Sequence, residues 1–286
     1  MLRKFLNGIV FGAGFAVAFI VVVAVYFQYF FNPSFEHKLN SKSDVVGTPP
    51  AVQEQKKYLG SQGIFNGSFK QSGNVLIGGP GEIVGKVTVN DKPVAGIKLR
   101  LALNGSVMSQ WATSEAAGIY RVLVPYGEYR IDGYELDGEV ADSVLAGKIA
   151  SPQNPFASDT FKVVEDSKGR GLDLRYVDPI EKKITKKIFS VSENVVISWA
   201  PYTGAVEYSI QMYEKSDPND YRGNNTLFDW SKQPKVSGTT FSLKEQGVKL
   251  KVGKFYLVEI SAYDKERRNI SETANRHSGY DFEVTE

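Results

Sequence analysis

The stretch Ile97-Lys98-Leu99-Arg100-Leu101-Ala102-Leu103-Asn104-Gly105 decides the fold class of the chain. Ile97, Leu99, Leu101 and Leu103 alternate with Lys98, Arg100 and Ala102. A period of two places successive side chains on opposite faces of a strand, so this is a strand with one buried face. Asn104-Gly105 then ends the alternation. Asn-Gly is the strongest short hairpin signal, because both central residues of a type I′ turn need positive φ. The chain is predicted to return through 107–112.

Working outward, the same period recurs on both sides. Ile83, Gly85, Val87 and Val89 alternate with Lys86 and Thr88. Further strands are expected at 119–124, 129–134, 161–164 and 172–176, with turns such as Pro125-Tyr126-Gly127-Glu128 between them. About seven short strands in roughly a hundred residues imply a sandwich. A second set follows. Val195, Ile197 and Trp199 alternate inward; Val206, Tyr208, Ile210 and Met212 alternate with Glu207, Ser209 and Gln211. Tyr256, Val258, Ile260 and Ala262 repeat the pattern, and Tyr280, Phe282 and Val284 close the chain. The fold class expected is therefore all-β, with two tandem β-sandwich domains at 81–178 and 179–286.

Ahead of them lies a different solvent signature. Residues 8–27 run for twenty positions without a charged or strongly polar side chain. As a helix rising about 1.5 Å per residue they would cover roughly the 30 Å of a bilayer's hydrocarbon core. Tyr26, Tyr29 and neighbouring phenylalanines suit an interfacial aromatic belt, and Asn32-Pro33 stops a helix. Residues 1–31 are thus expected to form a single-pass transmembrane signal anchor. The rival is a cleaved signal peptide, for which Ala16-Val17-Ala18 resembles a cleavage tripeptide. That cut would fall inside an apolar run longer than the usual 7–15 residues, so the uncleaved anchor is the reading favoured. Arg3 and Lys4 argue for a cytoplasmic amino terminus and extracytoplasmic β domains, against a weaker counter-signal from Lys38 and Lys42. Gly8, Gly12 and Ala16 form a small-residue ridge, common enough in membrane helices to need no dimer.

Residues 32–80, with four prolines and seven glycines, read as a flexible stem, with a short helical stretch at 51–59. His37 sits within it as an isolated side chain.

Composition excludes several functions. The chain has no cysteine, which removes disulfides, thiolate metal sites and cysteine nucleophiles. Of 34 basic residues, Arg3 and Lys4 lie in the anchor, leaving 32 against 32 acids. A formally neutral body has no electrostatic footprint for nucleic acid, and Lys182-Lys183 and Lys186-Lys187 read as solvated faces. No dinucleotide or P-loop fingerprint is present: Gly85-Lys86 and Gly253-Lys254 each lack the upstream glycine, having Pro80 and Val248 there. His277 has Ser278 and Asp281 beside it, but neighbours along a strand alternate faces. Asp132, Asp137, Glu139 and Asp142, and separately Asp217, Asn219 and Asp220, are oxygen-rich, yet neither set fits an EF-hand. No catalytic, cofactor or metal residues are assigned.

The residues Gly85-Lys86-Val87, Lys92-Pro93-Val94-Ala95-Gly96, Gly118-Ile119-Tyr120-Arg121 and Pro125 to Ile131 resemble the carboxypeptidase regulatory-like, or transthyretin-like, domain family. That resemblance implies a seven-stranded sandwich in a structural or binding role, with no catalytic residues to carry over. Trp199-Ala200-Pro201, Gly204 to Ile210, Leu250 with Tyr256, and Ala262-Tyr263-Asp264 resemble a fibronectin type III-like domain. The resemblance implies a tyrosine corner, in which the Tyr256 hydroxyl ties a loop to the next strand.

The function expected is a non-catalytic, membrane-anchored structural or interaction module of the cell envelope. Its partners would be the bilayer, through residues 8–27, and another envelope protein or a glycan. A carbohydrate- or peptidoglycan-binding protein is the alternative, with Trp111 or Trp230 as platform; an enzyme of unfamiliar design is a further one. The segment 214–235 is long for a connection, usually about 4–6 residues. It carries Tyr221, Phe228 and Trp230, the residues expected to contact a partner. The competing reading of this segment is an extra edge strand, with Phe228 and Trp230 folded back over the sheet.

Overall fold

Two hydrophobic cores organise the computed structural model, which describes residues 57–60, 63–65, 75–105, 107–220, 225–274 and 279–286. The chain divides into two units, 1–53 and 54–286, and every described residue belongs to the second. The apolar segment 8–27 lies outside the described residues. Among those described, no helix is long and apolar enough to cross a membrane.

The first core is built by β1 (Gly81–Val89), β2 (Lys98–Leu103), β3 (Ile119–Val124), β4 (Ile131–Leu136) and β5 (Leu174–Val177). One sheet centres on β1, which pairs antiparallel with β3 and parallel with β5. The other pairs β2 with β4. Ile97, Leu99, Leu101 and Leu103 are fully buried between the sheets with Ile83, Val87, Tyr120 and Tyr134. Each such side chain contributes about 1.5–3 kcal/mol on leaving water. A one-residue slip of β2 would turn all four outward, so its register is strongly specified.

The turn after β2 differs in length from the expected one. Asn104 and Gly105 have φ of 52° and 63°, as the sequence required, but Leu103 pairs with Val107, leaving three residues in the connection. A two-residue connection with both φ positive lies at Asn90-Asp91 instead, where Val89 pairs with Lys92. Helix α1 (Gly138–Val144) was not anticipated. Asp137 caps its amino end, accepting from the Val140 N–H at 3.3 Å and from Lys98 at 2.9 Å.

Residues ahead of Gly81 contribute to the first core. Tyr58 is only 7% exposed and packs into the first core, edge-on to Tyr176. The Leu59 N–H donates to the Lys148 carbonyl at 2.9 Å, and residues 57–59 of the expected helical stretch 51–59 are not helical, 51–56 lying outside the described residues. Gly63–Phe65 adds a strand to the free edge of β4. Leu76 bonds to the Met108 carbonyl and packs against the core. The reason is edge satisfaction: β4 and the strand at 107–108 present backbone groups and apolar surface that these residues cover.

The second core is built by β6 (Val196–Trp199), β7 (Glu207–Lys215), β8 (Lys254–Tyr263), β9 (Asn269–Glu272) and β10 (Phe282–Thr285). β6 lies in a three-stranded sheet between Lys182–Ile184 and Thr240–Ser242. The facing sheet pairs β7 with β8 over nine residues, and β8 with β9 and β10. Tyr208, Ile210 and Met212 of β7 and Tyr256, Val258, Ile260 and Ala262 of β8 point into this core. Trp199 meets Tyr208 edge-on at 5.2 Å, and Tyr256 stacks on Phe282 at 5.2 Å.

Asp178 and its neighbours are pinned between the cores. The Asp178 carbonyl accepts from the Ser271 hydroxyl at 2.7 Å, and the Ile180 N–H donates to the Glu272 carbonyl at 2.9 Å. Asn90 exchanges two hydrogen bonds with Asp178, and Lys148 forms an ion pair with its carboxylate. Gln153 donates to the Asn269 carbonyl at 3.1 Å.

Candidate functional site

Because β7 and β8 send alternate residues to the core, the intervening ones form the sheet's outer face. On β7 these are Ser209, Gln211 and Tyr213; on β8 they are Glu259, Ser261 and Tyr263. The register sets Ser209 opposite Ser261 and Gln211 opposite Glu259. It then sets Ser261 opposite Glu272 of β9, and, past a β-bulge, Tyr263 opposite Asn269. The result is a polar recess of about 370 Å³ bounded by Ser209, Gln211, Glu259, Ser261, Tyr263, Asn269 and Glu272 together with Trp230 and Gln233. That volume lies at the lower end of the range typical of small-molecule sites.

The rim comes from the segment 225–236. Asn225–Thr226 pairs with Tyr213 and Glu214, and Lys235–Val236 pairs with Tyr208 and Ser209, both along the outer edge of β7. Between them Phe228 turns inward, meeting Phe241 edge-on at 6.2 Å, while its carbonyl accepts from Gln211 Nε2 at 3.2 Å. Trp230 then opens a short 3-10 turn, Trp230–Lys232. Asp229 holds that turn, accepting from the Ser231 N–H at 2.9 Å and the Ser231 hydroxyl at 2.8 Å. These two bonds keep the Asp229 carboxyl below its ordinary value. Trp230 is 62% exposed and meets Tyr213 edge-on at 6.5 Å.

Inside the recess the polar groups are unevenly satisfied. The Tyr213 hydroxyl donates to Glu259 at 3.0 Å, and Gln211 Oε1 accepts from the Met212 N–H. Ser209 is 4% exposed, and its hydroxyl has no hydrogen-bond partner among the described residues. Asn269 Oδ1 is buried without a partner there as well. Lys235, at the margin, pairs with Glu207 at 2.8 Å and lies 5.9 Å from the centre of the Tyr263 ring.

The three residues expected to contact a partner therefore separate. Trp230 stands at the rim, Phe228 is half-buried against the second core, and Tyr221 lies outside the described residues. Parts of segment 214–235 are edge structure: β7 continues to Lys215, and the chain returns to its edge at 225–226 and again at 235–236. Trp111, the other proposed platform, is 40% exposed but has Lys98 and Arg100 over its ring at 5.3 and 4.8 Å. Its ring face is thus occupied by cations of its own sheet.

Among the described residues the remaining sequence candidates lie apart, each in local bonds of its own. His277 and Ser278 lie outside the described residues. Asp281 accepts from the Val258 N–H at 2.7 Å and pairs with Lys182. Asp132 accepts from the Gly105 N–H and from Arg130, whereas Asp137 caps α1. Asp217 accepts from the Asn219 N–H at 2.8 Å, a local turn bond. Among the described residues no group of three or more histidines, aspartates and glutamates could hold a metal ion. An open cleft at the junction of the cores, lined by Asp91, Asp178, Tyr202, Asp264 and Arg268 among others, mixes charges of both signs. Arg268 is already committed to Asp264 and Glu266.

Sequence reading placed Ser209 and Gln211 on the outer face of β7 but did not assign them to a site. Their signal was the small or amide side chain at positions where a solvated face usually carries charge. What lay opposite them depended on the pairing of β7 with β8, about fifty residues further along the chain.

No family model matches the chain, and no curated protein matches it. Solved structures align with it at low similarity. A DUF3823 family protein from Bacteroides ovatus aligns at 10% identity and TM-score 0.23, over 68% of this chain and 95% of that one. The Bacillus anthracis TIE protein aligns at 13% identity and TM-score 0.27, over 72% of this chain and 32% of that one. The chicken CNTN1 FN1-FN3 domains align at 14% identity and TM-score 0.18, over 66% and 63%. The sandwich architecture rests on the sheets and cores themselves.

Proposed function

We propose that the protein is a non-catalytic interaction module of the cell envelope, anchored by residues 8–27 with its β part extracytoplasmic. On this reading 81–178 is a transthyretin-like sandwich, extended by strands from the stem, and 179–286 a fibronectin type III-like one. The Lys251 N–H bond to the Tyr256 hydroxyl, at 2.8 Å, supports the second assignment. The observation that carries the interaction role is Trp230. It is a large aromatic left 62% exposed at the rim of a polar recess, on a segment otherwise tied down by edge pairing. Exposed aromatics on rigid scaffolds are the usual anchors of recognition.

Fractionation with protease treatment tests the reading. The full chain should stay with membranes through an alkaline wash, and a chain lacking residues 1–31 should not. Protease applied to cells with a permeabilised outer layer should digest the β part. Recovery of a mature chain beginning after residue 18, or protection of the β part, would overturn the anchor or its orientation.

A further inference from the structure

We propose that the recess beneath Trp230 binds one uncharged pyranose unit of a glycan. This deepens the interaction reading of the Trp230 face and is independent of the anchor. A pyranose ring presents two kinds of surface. Its axial C–H bonds make an apolar face that lies flat on an indole, and its equatorial hydroxyls both donate and accept hydrogen bonds around the edge. The recess offers both. Trp230 supplies an open aromatic surface whose edge contact with Tyr213 and capped 3-10 turn hold it in place. A platform already held in place needs little further ordering on binding.

The floor matches a polyol. Ser209 and Ser261 face each other across β7 and β8, with Glu259, Glu272, Asn269 and Gln233 around them. Ser209 places its hydroxyl on the recess floor without a side-chain hydrogen bond to the described residues, and Asn269 Oδ1 is buried and unpartnered among them. A buried polar group left without a partner is costly, so a ligand that donates to Asn269 Oδ1 recovers that cost. An apolar ligand would not.

The charge of the site selects among ligands. Two carboxylates line the recess, and the described lining includes no lysine or arginine. An anionic sugar would meet like charge. A quaternary ammonium would be served by aromatics and carboxylates, but such sites are aromatic cages, and here hydroxyls and amides form the floor.

The full chain in a polyoxyethylene detergent, which carries no sugar, would be titrated calorimetrically with cellotetraose, maltotetraose and tri-N-acetylchitotriose, and with tetragalacturonate and choline as charged probes. At least one neutral oligosaccharide should bind saturably. Trp230→Ala should weaken it by about tenfold or more with the melting temperature unchanged. Ser209→Ala should also weaken binding without lowering the melting temperature, because its hydroxyl has no protein bond to lose. Absence of binding by every neutral probe up to about 10 mM, a preference for tetragalacturonate or choline, or binding indifferent to Trp230→Ala would overturn the assignment. Failure here with membrane retention and protease access intact would leave the envelope reading standing. Binding by a chain that fractionation shows to be cleaved would do the reverse.

Discussion

The Lys251 backbone N–H donates to the Tyr256 hydroxyl at 2.8 Å, and that hydroxyl in turn donates to Glu214 at 3.3 Å. One buried phenol thus ties the loop before β8 to the strand paired beside it. Burial pushes the Tyr256 phenol up to about 12, so it remains a donor at any physiological pH. Tyr256→Phe keeps the ring on Phe282 and removes both bonds. It should cost about 1–3 kcal/mol, since the Lys251 N–H is left wanting an acceptor. Thermal unfolding followed by circular dichroism would measure this, and an unchanged melting temperature would remove the corner from the account of stability.

Glu214 makes the same region sensitive to acid. Burial by itself would raise its carboxyl, but bonds from Lys251 at 2.8 Å, Asn225 at 3.3 Å and Tyr256 hold it below the ordinary value. A carboxyl depressed on folding stabilises the protein above its unfolded value, about 4.3, and loses that contribution as pH falls through the folded value. Glu214→Gln should therefore be less stable than wild type near neutrality, with the gap narrowing in acid. Urea midpoints for both chains across that range would show it. A gap of constant size would mean that packing, and not charge, accounts for the difference.

Two turn glycines of the first sandwich should respond differently to alanine. Both have positive φ, 74° at Gly118 and 84° at Gly96. At Gly118 an added Cβ would lie 2.4 Å from the Val87 carbonyl oxygen, whose strand is fixed on both sides. At Gly96 it would meet nothing within 4 Å. Gly96→Ala should cost only the backbone term, about 1 kcal/mol. Gly118→Ala should cost more than about 2 kcal/mol, because backbone must also move. Equal melting temperatures for the two variants would contradict the steric argument.

The strand at Gly63–Phe65 and the burial of Tyr58 bear on where the first sandwich begins. A fragment of residues 57–178 should unfold cooperatively and at higher temperature than one of residues 81–178. The shorter fragment exposes the edge of β4 and opens the space filled by Tyr58. Calorimetry of the pair provides the comparison, and identical transitions would return residues 57–80 to the role of a stem.

The sequence by itself determined what depends on local periodicity. Strand alternation in 97–103 named four core residues, because period two leaves no choice of face once one side is apolar. The same logic identified Tyr208, Ile210 and Met212 on β7 and Tyr256, Val258 and Ile260 on β8. The resemblance carried by Leu250 and Tyr256 implied a tie between loop and strand, and the Lys251 N–H bond to the Tyr256 hydroxyl is such a tie. Contacts between distant segments were decided only by the tertiary structure. Nothing in Gly63-Ile64-Phe65 states that β4 has an open edge to receive it. Phe228 and Trp230 stand two residues apart with similar composition around them, yet one packs against Phe241 and the other is left in solvent. Their difference arises from two short pairings with β7 and the Asp229 cap between them. The recess under Trp230 likewise exists because β7, β8 and β9 pair in one register, bringing Ser209, Ser261 and Glu272 into a row. A side chain's own sequence neighbourhood sets which face it takes. Long-range backbone pairing sets what stands opposite, and a site is made of what stands opposite.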